Sequence, residues 1–260
     1  MTQLEALLFD VDGTLADTER DGHRVAFNAA FAEAGLDWVW SVELYGNLLA
    51  VTGGKERIRH YLDHYNQDFE RPAELDAFIA GLHQSKTRHY TEMLAGGAIP
   101  LRNGVRRLLE AARAEGLRLA IATTTTPANV TALLRHSLAP DAESWFEVIA
   151  AGDIVPAKKP APDIFVWAMQ QMGLEPRQCL ALEDSENGVR SARGAGIESI
   201  VVTVNDYTKG HEFSGASLVL DQLGEEGDPA QVLSGTSQLD HGLLGVAALR
   251  RLHAAGGGAA

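Results

Sequence analysis

The sequence predicts an α/β protein in which a doubly wound parallel sheet carries a small all-helical domain inserted after the first strand. Two observations lead to this prediction. In the second half of the chain, short aliphatic segments alternate with amphipathic segments, which is typical of βαβ units with helices on both faces of the sheet. Near the start, the apolar run Leu7-Leu8-Phe9 stands alone, and residues 18–95 then show helical periodicity without a convincing strand.

Each expected strand is a short aliphatic segment bounded by polar residues or glycine. After the first strand, these segments cover residues 117–126, 145–153, 179–185, 199–204 and 217–220. Helical periodicity predicts the helices of the same region at residues 103–116, 127–138, 161–174 and 185–196. Asn103 is placed to cap the first of these helices, and Pro127 occupies the first helical position of the second. In the inserted region, helices are predicted at residues 21–36, 55–65 and 74–94.

These segments divide the chain of 260 residues into three parts. Residues 1–16 and 96–230 are expected to form the α/β core, residues 17–95 the helical cap, and residues 231–260 a C-terminal helix and tail. The hydrophobic content of 45% is enough to give both the core and the cap a buried interior.

Charge and cysteine content restrict the expected partners and compartment. The formal net charge is -13, which disfavours binding to nucleic acid or to an acidic membrane. Cys179 is the only cysteine, so no intrachain disulfide can form, as is typical of a reducing compartment. We expect no leader, because the N-terminus has no basic segment followed by an apolar stretch, and no membrane span, because no run approaches about 18 apolar residues. The expected protein is a cytoplasmic monomer whose partner is a small molecule.

Polar residues follow the predicted strands at the edge where open parallel sheets bind their ligands. In chain order, these residues are Asp10, Asp12, Thr123, Thr124, Lys158, Lys159, Glu183 and Asp184. Grouped carboxylates suit a hard cation such as Mg²⁺. A lysine, hydroxyl groups and backbone N–H groups suit a phosphate, and a carboxylate can act as a nucleophile on phosphorus. The sequence therefore predicts a metal-assisted phosphate site.

Each of these signals also has a structural interpretation when it is taken alone. Asp10 and Asp12 could begin a calcium loop, but that pattern requires glycine at the sixth position, where this chain has Leu15. The threonines could form a polar turn, the two lysines a solvated pair, and the last two acids the charged start of a helix. Trp38 and Trp40 are expected to pack within the cap rather than to contact a substrate.

Four motifs together resemble a known family. DVDGT, IATT, KKPAPDIF and LEDSENG occur in the order of the four motifs of the haloacid dehalogenase (HAD) superfamily of phosphohydrolases. The position of the inserted helices resembles the type-1 cap of that family. The resemblance covers residues 4–222 and implies a Rossmann-like core that hydrolyses phosphate esters with Mg²⁺.

The resemblance also implies a role for each motif residue. Asp10 is the expected nucleophile, which forms an aspartyl-phosphate, and Asp12 is the expected general acid/base. Thr123 and the backbone of Thr124 would hold the transferring phosphoryl group. Lys159, which directly precedes the proline, would bridge the nucleophile and the phosphate. The metal ligands that the resemblance implies are Asp10, Asp12 through its backbone carbonyl, Glu183 and Asp184.

The stretch TGGKERIRHY, at residues 52–61, is a candidate second anion site in the cap. Its two glycines allow the backbone to approach a ligand, and a helix carrying Lys55, Arg57 and Arg59 begins directly after them. An ordinary basic helix face is the alternative interpretation. The candidate substrate-binding residues are Thr124 in the core and, in the cap, Glu19, His23, Thr52, Gly53, Gly54, Lys55, Arg57 and Lys86.

Two cap segments, DTERDGHRVAFN and TGGKERI, resemble the CbbY subgroup of the superfamily. That subgroup includes phosphatases of xylulose 1,5-bisphosphate, an inhibitor of Rubisco in the Calvin cycle, so the resemblance implies a Mg²⁺-dependent sugar-bisphosphate phosphatase. A sugar-phosphate mutase of the β-phosphoglucomutase type is the alternative, although its early cap histidine lies one residue closer to the DxD motif than His23 does. An inert protein of the same fold that only binds ligands is the non-enzyme alternative.

Overall fold

The structure is a computed structural model that describes residues 3–96, 99–236 and 239–256, apart from the side chain of Asp21. Its described strands form one sheet of seven strands in the order β3-β2-β1-β4-β5-β6-β7. The strands are β1 (Ala6–Phe9), β2 (Arg118–Thr123), β3 (Val148–Ala151), β4 (Cys179–Glu183), β5 (Ser199–Thr203), β6 (Leu218–Leu220) and β7 (Val232–Gly235). β1 to β6 are parallel to one another, and β7 pairs with β6 in the antiparallel direction. The predicted α/β fold with a parallel sheet is confirmed.

The helices of the described residues follow the predicted alternation. They are α1 (Arg24–Glu33), α2 (Val42–Leu48), α3 (Gly54–His64), α4 (Leu75–Ala95), α5 (Val105–Ala114), α6 (Pro127–Leu133), α7 (Asp163–Met172), α8 (Glu186–Gly194) and α9 (Val246–Gly256). In the part of the chain that the structure describes, no helix has the length and apolar character needed to cross a membrane.

Helices cover both faces of the sheet because the central strands are apolar on both sides. Leu7 and Phe9 of β1 contribute to the core on one face, which packs against α5, α6 and α9. Ala6 and Leu8 contribute to the core on the other face, which packs against α7 and α8. Because side chains alternate between the faces with a period of two residues, a shift of β1 by one residue would exchange its two faces. The alternation therefore fixes the register of β1.

The inserted region forms a cap with an aromatic core of its own. The ring of Trp40 lies 4.7 Å from that of Phe27 and 4.9 Å from that of Phe31, measured between centroids. Trp38 lies 5.3 Å from Phe31 in an edge-to-face arrangement. The expectation that both tryptophans pack within the cap is confirmed. α2, which the sequence reading did not include, begins where Ser41 Oγ accepts a hydrogen bond from the backbone N–H of Leu44 at 3.0 Å.

The first cap helix begins later than predicted. Residues Glu19–His23 form a wide π-helical turn, and the α-helix follows from Arg24. Gly22 packs closely inside this turn, since a Cβ atom there would lie 2.6 Å from Ile99 and 2.9 Å from Tyr90. The turn therefore brings the start of the cap against the returning linker.

Two linkers, which lie side by side, join the cap to the core. Ala16 in the first linker forms an antiparallel bridge with Leu101 in the second. The buried guanidinium of Arg102 then donates to four backbone carbonyls in three separate segments of the core. These carbonyls are those of Gly13, Thr203, Val204 and Asp221. Because each carbonyl belongs to the carboxyl end of the sheet, the linkers are fastened beside the polar end of β1.

Two features after residue 100 differ from the sequence reading. Asn103 does not cap α5: the cap position is taken by Gly104, with a φ of 83°, and the Asn103 amide donates to Asp228 Oδ2 at 2.6 Å. β7 extends the sheet beyond residue 230, and α9, the expected C-terminal helix, packs on the first face of the sheet. Pro127 occupies the start of α6 as predicted. The last predicted residues of the tail, 257–260, lie outside the described residues.

Candidate active site

The ends of β2, β1 and β4 open into one pocket beneath the cap. Adjacent parallel strands end at the same edge, so the polar residues that follow them converge. Of the residues predicted from the sequence, those that line the pocket are Asp10, Asp12, Thr123, Thr124, Lys159 and Asp184 from the core and Glu19, Thr52 and Arg57 from the cap. The pocket therefore combines core and cap groups in one cavity.

A lysine bridges two buried carboxylates at the centre of the pocket. Lys159 Nζ lies 2.7 Å from Asp10 Oδ1 and 2.5 Å from Glu183 Oε1. Burial disfavours the charged ammonium, but the two carboxylates hold the pKa of Lys159 above its usual value. Burial also raises the pKa of Asp10, and it raises the pKa of Glu183 to about 7, in both cases against the lowering effect of Lys159. Lys158 points elsewhere, to Glu56 of the cap at 3.2 Å.

Three carboxylates at this edge could hold a metal ion. Asp10, Glu183 and Asp184 each offer an oxygen, and these oxygens lie within 4.8 Å of one another. Burial and the neighbouring acids raise the pKa of Asp184 well above its usual value, although Asn205 donates to its Oδ2 at 2.6 Å. One lysine does not neutralise three acids, so a cation of the hard, oxygen-preferring class fits this donor set.

Two glycines leave the space that these carboxylates occupy. A Cβ atom on Gly13, whose φ is 82°, would lie 2.2 Å from Asp184 Oδ2. A Cβ atom on Gly188, in α8, would lie 1.9 Å from Glu183 Oε2. Real atoms do not approach so closely, so any larger residue at either position would displace the acid.

Asp12 is supported by residues of the cap and of the first linker. Thr18 Oγ1 donates to Asp12 Oδ1 at 2.6 Å, and His23 Nε2 lies 2.7 Å from the same oxygen. The other ring nitrogen of His23 is 2.8 Å from Lys86 Nζ, an arrangement that is satisfied when Nε2 carries the proton and Nδ1 accepts from the ammonium. Burial alone would raise the pKa of Asp12, but His23 and Thr18 hold it below its usual range. Burial lowers the pKa of Lys86 to about 8.

His23 and Lys86 are therefore not placed as the sequence reading expected. Both were predicted to contact the substrate, yet neither lines the pocket, and each residue is only 3% exposed. They form a chain of contacts behind Asp12 instead. The physical reason is that the π-helical turn directs His23 inward, toward Asp12.

Among the cap residues of the predicted anion site, the ones that line the pocket are Thr52 and Arg57. Thr52 accepts a hydrogen bond from the Asn187 amide of the core at 3.1 Å, and the side chain of Arg57 is buried. Lys55 pairs instead with Asp153 of the core outside the pocket, contrary to its predicted role as an anion ligand. Alternate residues of a helix face opposite sides, so the two basic residues cannot both point inward.

Gly53 and Gly54 also have a different role from the one expected. Neither lines the pocket. A Cβ atom on Gly53 would lie 2.2 Å from Glu56 Oε2, and one on Gly54 would lie 2.4 Å from His83 Nε2. Both glycines therefore permit close packing around the start of α3, and Arg59 of the same helix pairs with Asp76 within the cap.

The sequence reading missed several residues of the site. Thr18 supports Asp12, Asn205 supports Asp184, and Gly188 leaves room for Glu183. Asn205 follows β5, so the rule that found the other strand ends would have found it too. Thr18 carried no comparable signal, because its contact depends on the conformation of the linker.

The pKa of Glu183 predicts a specific dependence of stability on pH. The folded-state pKa of about 7 lies above the usual value of 4.5, so the folded protein binds the proton more tightly than the unfolded chain does. In metal-free buffer, this contribution is present below pH 4.5 and is lost as the pH rises to about 7. The free energy of unfolding of Glu183→Gln, relative to wild type, should therefore increase on the order of 2 kcal/mol from pH 5 to pH 7.

Urea unfolding of both proteins at several pH values in the presence of a chelator measures this difference directly. A difference that stays constant, or that changes in the opposite direction, would contradict an elevated pKa of Glu183.

The chain is similar to known proteins along most of its length. A family profile described as haloacid dehalogenase-like hydrolase matches residues 4–196. Protein CbbY of Rhodobacter capsulatus is 52% identical over 221 residues, which cover 85% of this chain and 94% of that protein. The plasmid form of Protein CbbY from Cupriavidus necator is 47% identical over 251 residues, which cover 96% of this chain and 97% of that protein.

Two crystal structures of CbbY from Rhodobacter sphaeroides share the fold, each at 47% identity. The complex with phosphate has a TM-score of 0.78 and covers 84% of this chain and 94% of that one. The D10N mutant in complex with xylulose-(1,5)bisphosphate has a TM-score of 0.79 and covers 85% and 96%, respectively. The family resemblance seen in the motifs is confirmed. The chain therefore belongs to the haloacid dehalogenase-like hydrolases and, within them, to the CbbY group of sugar phosphatases.

Proposed function

We propose that the protein is a Mg²⁺-dependent phosphatase that hydrolyses xylulose 1,5-bisphosphate through an aspartyl-phosphate on Asp10. The observation that carries the proposal is a single pocket with the Asp10–Lys159 pair at its core end and the buried Arg57 at its cap end. A sugar with a phosphate at each end would use both. The complex of a relative, the D10N mutant of CbbY, with xylulose-(1,5)bisphosphate supports this choice of substrate.

In the first half-reaction, Asp10 attacks phosphorus and the sugar oxygen leaves. Asp12 protonates that oxygen, which completes the transfer of the phosphoryl group to the Asp10 carboxylate. In the second half-reaction, Asp12 takes a proton from water, and the resulting nucleophile attacks phosphorus and releases phosphate from Asp10. Both cap-side donors to Asp12 contact Oδ1, which leaves Oδ2 to exchange the proton.

The remaining core residues stabilise charge on the transferring group. Lys159 contacts Asp10 directly, so its ammonium lies where the phosphate and the nucleophile meet. Thr123 is buried at the end of β2 and Thr124 follows it in the pocket wall, where a hydroxyl and a backbone N–H can donate to phosphate oxygens. Positioning and fixed charge supply most of the stabilisation in phosphoryl transfer.

Asp10, Glu183 and Asp184 would hold Mg²⁺, with the backbone carbonyl of Asp12 as a further ligand. Burial raises the pKa values of these three acids, and their proximity to other acids adds to that rise; a divalent cation would stabilise their charged forms. When bound, the ion supplies positive charge that allows a carboxylate and a phosphate dianion to approach each other.

Release of phosphate from xylulose 1,5-bisphosphate is the direct test of the proposal. Wild type should release inorganic phosphate only when Mg²⁺ is present, and Asp10→Asn should lower kcat by at least about 10³-fold, because the amide cannot form the acyl phosphate. Isomerised sugar phosphate without free phosphate would instead indicate a mutase. Equal turnover by Asp10→Asn would remove the nucleophile assignment.

Gly188→Ala tests the contact between Glu183 and Lys159. The added methyl group should displace the Glu183 carboxylate, misplace Lys159 and lower kcat by about 100-fold. Gly194→Ala is the matched control in the same helix, because a Cβ atom there meets only Pro162 at 3.4 Å or more. That variant should keep kcat within about threefold of wild type. Full activity in Gly188→Ala would show that the Glu183 contact is dispensable.

Arg57→Ala and Lys55→Ala together test the cap end of the pocket. Loss of the buried Arg57 should raise KM for the bisphosphate about 10- to 100-fold, because a charge-assisted contact to the second phosphate is removed. Lys55→Ala removes only an exposed ion pair and should change KM by less than about threefold. For a small aryl monophosphate, which has no second phosphate, both variants should change KM by less than about threefold. If Arg57→Ala weakens both substrate classes equally, the arginine has a structural role only.

A further inference from the structure

A buried tyrosine of the cap connects two pocket residues that carry opposite charges. The Tyr45 hydroxyl donates to Glu19 Oε2 at 2.5 Å and accepts from Arg57 Nη1 at 2.8 Å. Glu19 and Arg57 both line the pocket, whereas Tyr45 is fully buried behind them. The hydroxyl therefore lies between the carboxylate and the guanidinium.

The two charged groups are kept apart by this arrangement. Arg57 Nη1 and Glu19 Oε2 are 3.8 Å from each other, which is longer than a hydrogen bond. Arginine and carboxylate groups otherwise favour direct, two-point contact, especially where water is excluded. Without the hydroxyl, the carboxylate could close onto the guanidinium, and each group would then be satisfied by the other instead of by a ligand.

Arg57 retains hydrogen-bonding capacity for a ligand. Its side chain is 8% exposed, and the hydrogen bond that its guanidinium makes among the described residues is the one from Nη1 to Tyr45. A guanidinium in a pocket wall with N–H groups left over can donate them to a ligand acceptor. Glu19, with 18% of its side chain exposed, offers an acceptor beside it for a sugar hydroxyl.

The position of the Tyr45 hydroxyl is fixed by its surroundings. Its ring packs 6.0 Å from Trp40 and 6.2 Å from Phe27 inside the cap core. Tyr207, which lies in the pocket wall on the core side, contacts the same ring at 6.1 Å. Because the ring is packed on several sides, its hydroxyl keeps a fixed position, and that position sets where the Glu19 carboxylate and the Arg57 guanidinium lie.

We propose that Tyr45 is a positioning residue for substrate binding, whose hydroxyl keeps Glu19 and Arg57 apart so that the carboxylate receives a sugar hydroxyl and the guanidinium receives a phosphate. This inference rests on the proposed function, because it assigns the second phosphate to Arg57. Tyr45 acts through its two neighbours and does not touch the reacting atoms.

Tyr45→Phe removes the hydroxyl and keeps the packed ring. KM for xylulose 1,5-bisphosphate should rise about tenfold, while kcat at saturation should change by less than about threefold. Tyr61→Phe is the matched control, because Tyr61 packs in the same aromatic core and does not line the pocket. It should change KM by less than about twofold, and the thermal unfolding of both variants should be measured on the same samples.

A double-mutant cycle separates positioning from a general loss of structure. If the hydroxyl acts by keeping Glu19 from Arg57, then Tyr45→Phe should have little effect on KM once Glu19→Ala has removed the carboxylate. Calorimetric binding of the bisphosphate in an Asp10→Asn background gives the same comparison without turnover. The proposal would be overturned if the fold-changes in KM caused by Tyr45→Phe and Glu19→Ala simply multiply in the double variant. It would also be overturned if Tyr45→Phe leaves KM unchanged, whether or not kcat falls.

The wild-type arm distinguishes the two possible failures. If wild type releases no phosphate from xylulose 1,5-bisphosphate, the proposed substrate is wrong, and the same cycle is measured with the sugar phosphate that wild type hydrolyses best. If wild type is active and Tyr45→Phe matches Tyr61→Phe in KM, the inference about Tyr45 is wrong and the proposed function stands.

Discussion

The ion pairs of Lys159 with Asp10 and Glu183 constrain how the rest of the core is arranged. Two carboxylates and an ammonium are buried together, and burial of charge is tolerated only when the groups are paired and hydrogen-bonded. Glu183 therefore needs space, which the glycine at position 188 provides, and Asp184 needs a donor, which Asn205 provides. The acid that remains in excess explains why this edge of the sheet is suited to a divalent cation.

The pocket divides chemistry and selection between two parts of the chain. The core supplies Asp10, which we propose as the nucleophile, together with Lys159 and the threonine hydroxyl groups, whereas the cap supplies the charged pair near Tyr45. Asp12 belongs to the core by position but depends on the cap for its environment. Its neighbour His23 lies in a cap turn, and Lys86, which contacts His23, lies on a cap helix. The proton transfer that we propose for Asp12 would thus be linked to the presence of the cap.

The core part of the site could be predicted from the sequence because parallel strands leave little freedom. A strand such as β1 must alternate its apolar side chains between two covered faces, so its last polar residue must leave at the carboxyl edge. Asp10, Thr123 and Asp184 therefore converge whatever the loops do, whereas Lys159 reaches them from the loop between β3 and α7. β7 was not predictable in the same way, since its sequence, VLSG, is short and mostly exposed.

The cap part could not be predicted as fully, although one signal was present. Ile58, Tyr61 and Leu62 mark the buried face of α3, and Arg57 lies on that face at a spacing of four from Tyr61. Charge alone does not distinguish the buried Arg57 from the exposed Lys55. The helical period does, because it places only Arg57 on the same face as the apolar residues. The roles of Glu19 and His23 depended on the π-helical turn, and no residue pattern indicated that turn.

The neighbouring lysines at positions 158 and 159 connect the cap to the reaction centre through one peptide unit. Lys159 pairs with Asp10. Lys158 contacts Glu56 of the cap at 3.2 Å and Asp153 of the core at 3.1 Å, and Asp153 also pairs with Lys55. Glu56, Asp153 and Lys55 are substantially exposed, so dissolved ions screen their interactions with each other and with Lys158. The buried contact between Lys159 and Asp10 is shielded from such screening. Separation of the cap from the core, and with it the escape of products, should therefore accelerate with ionic strength while the bond-breaking step does not.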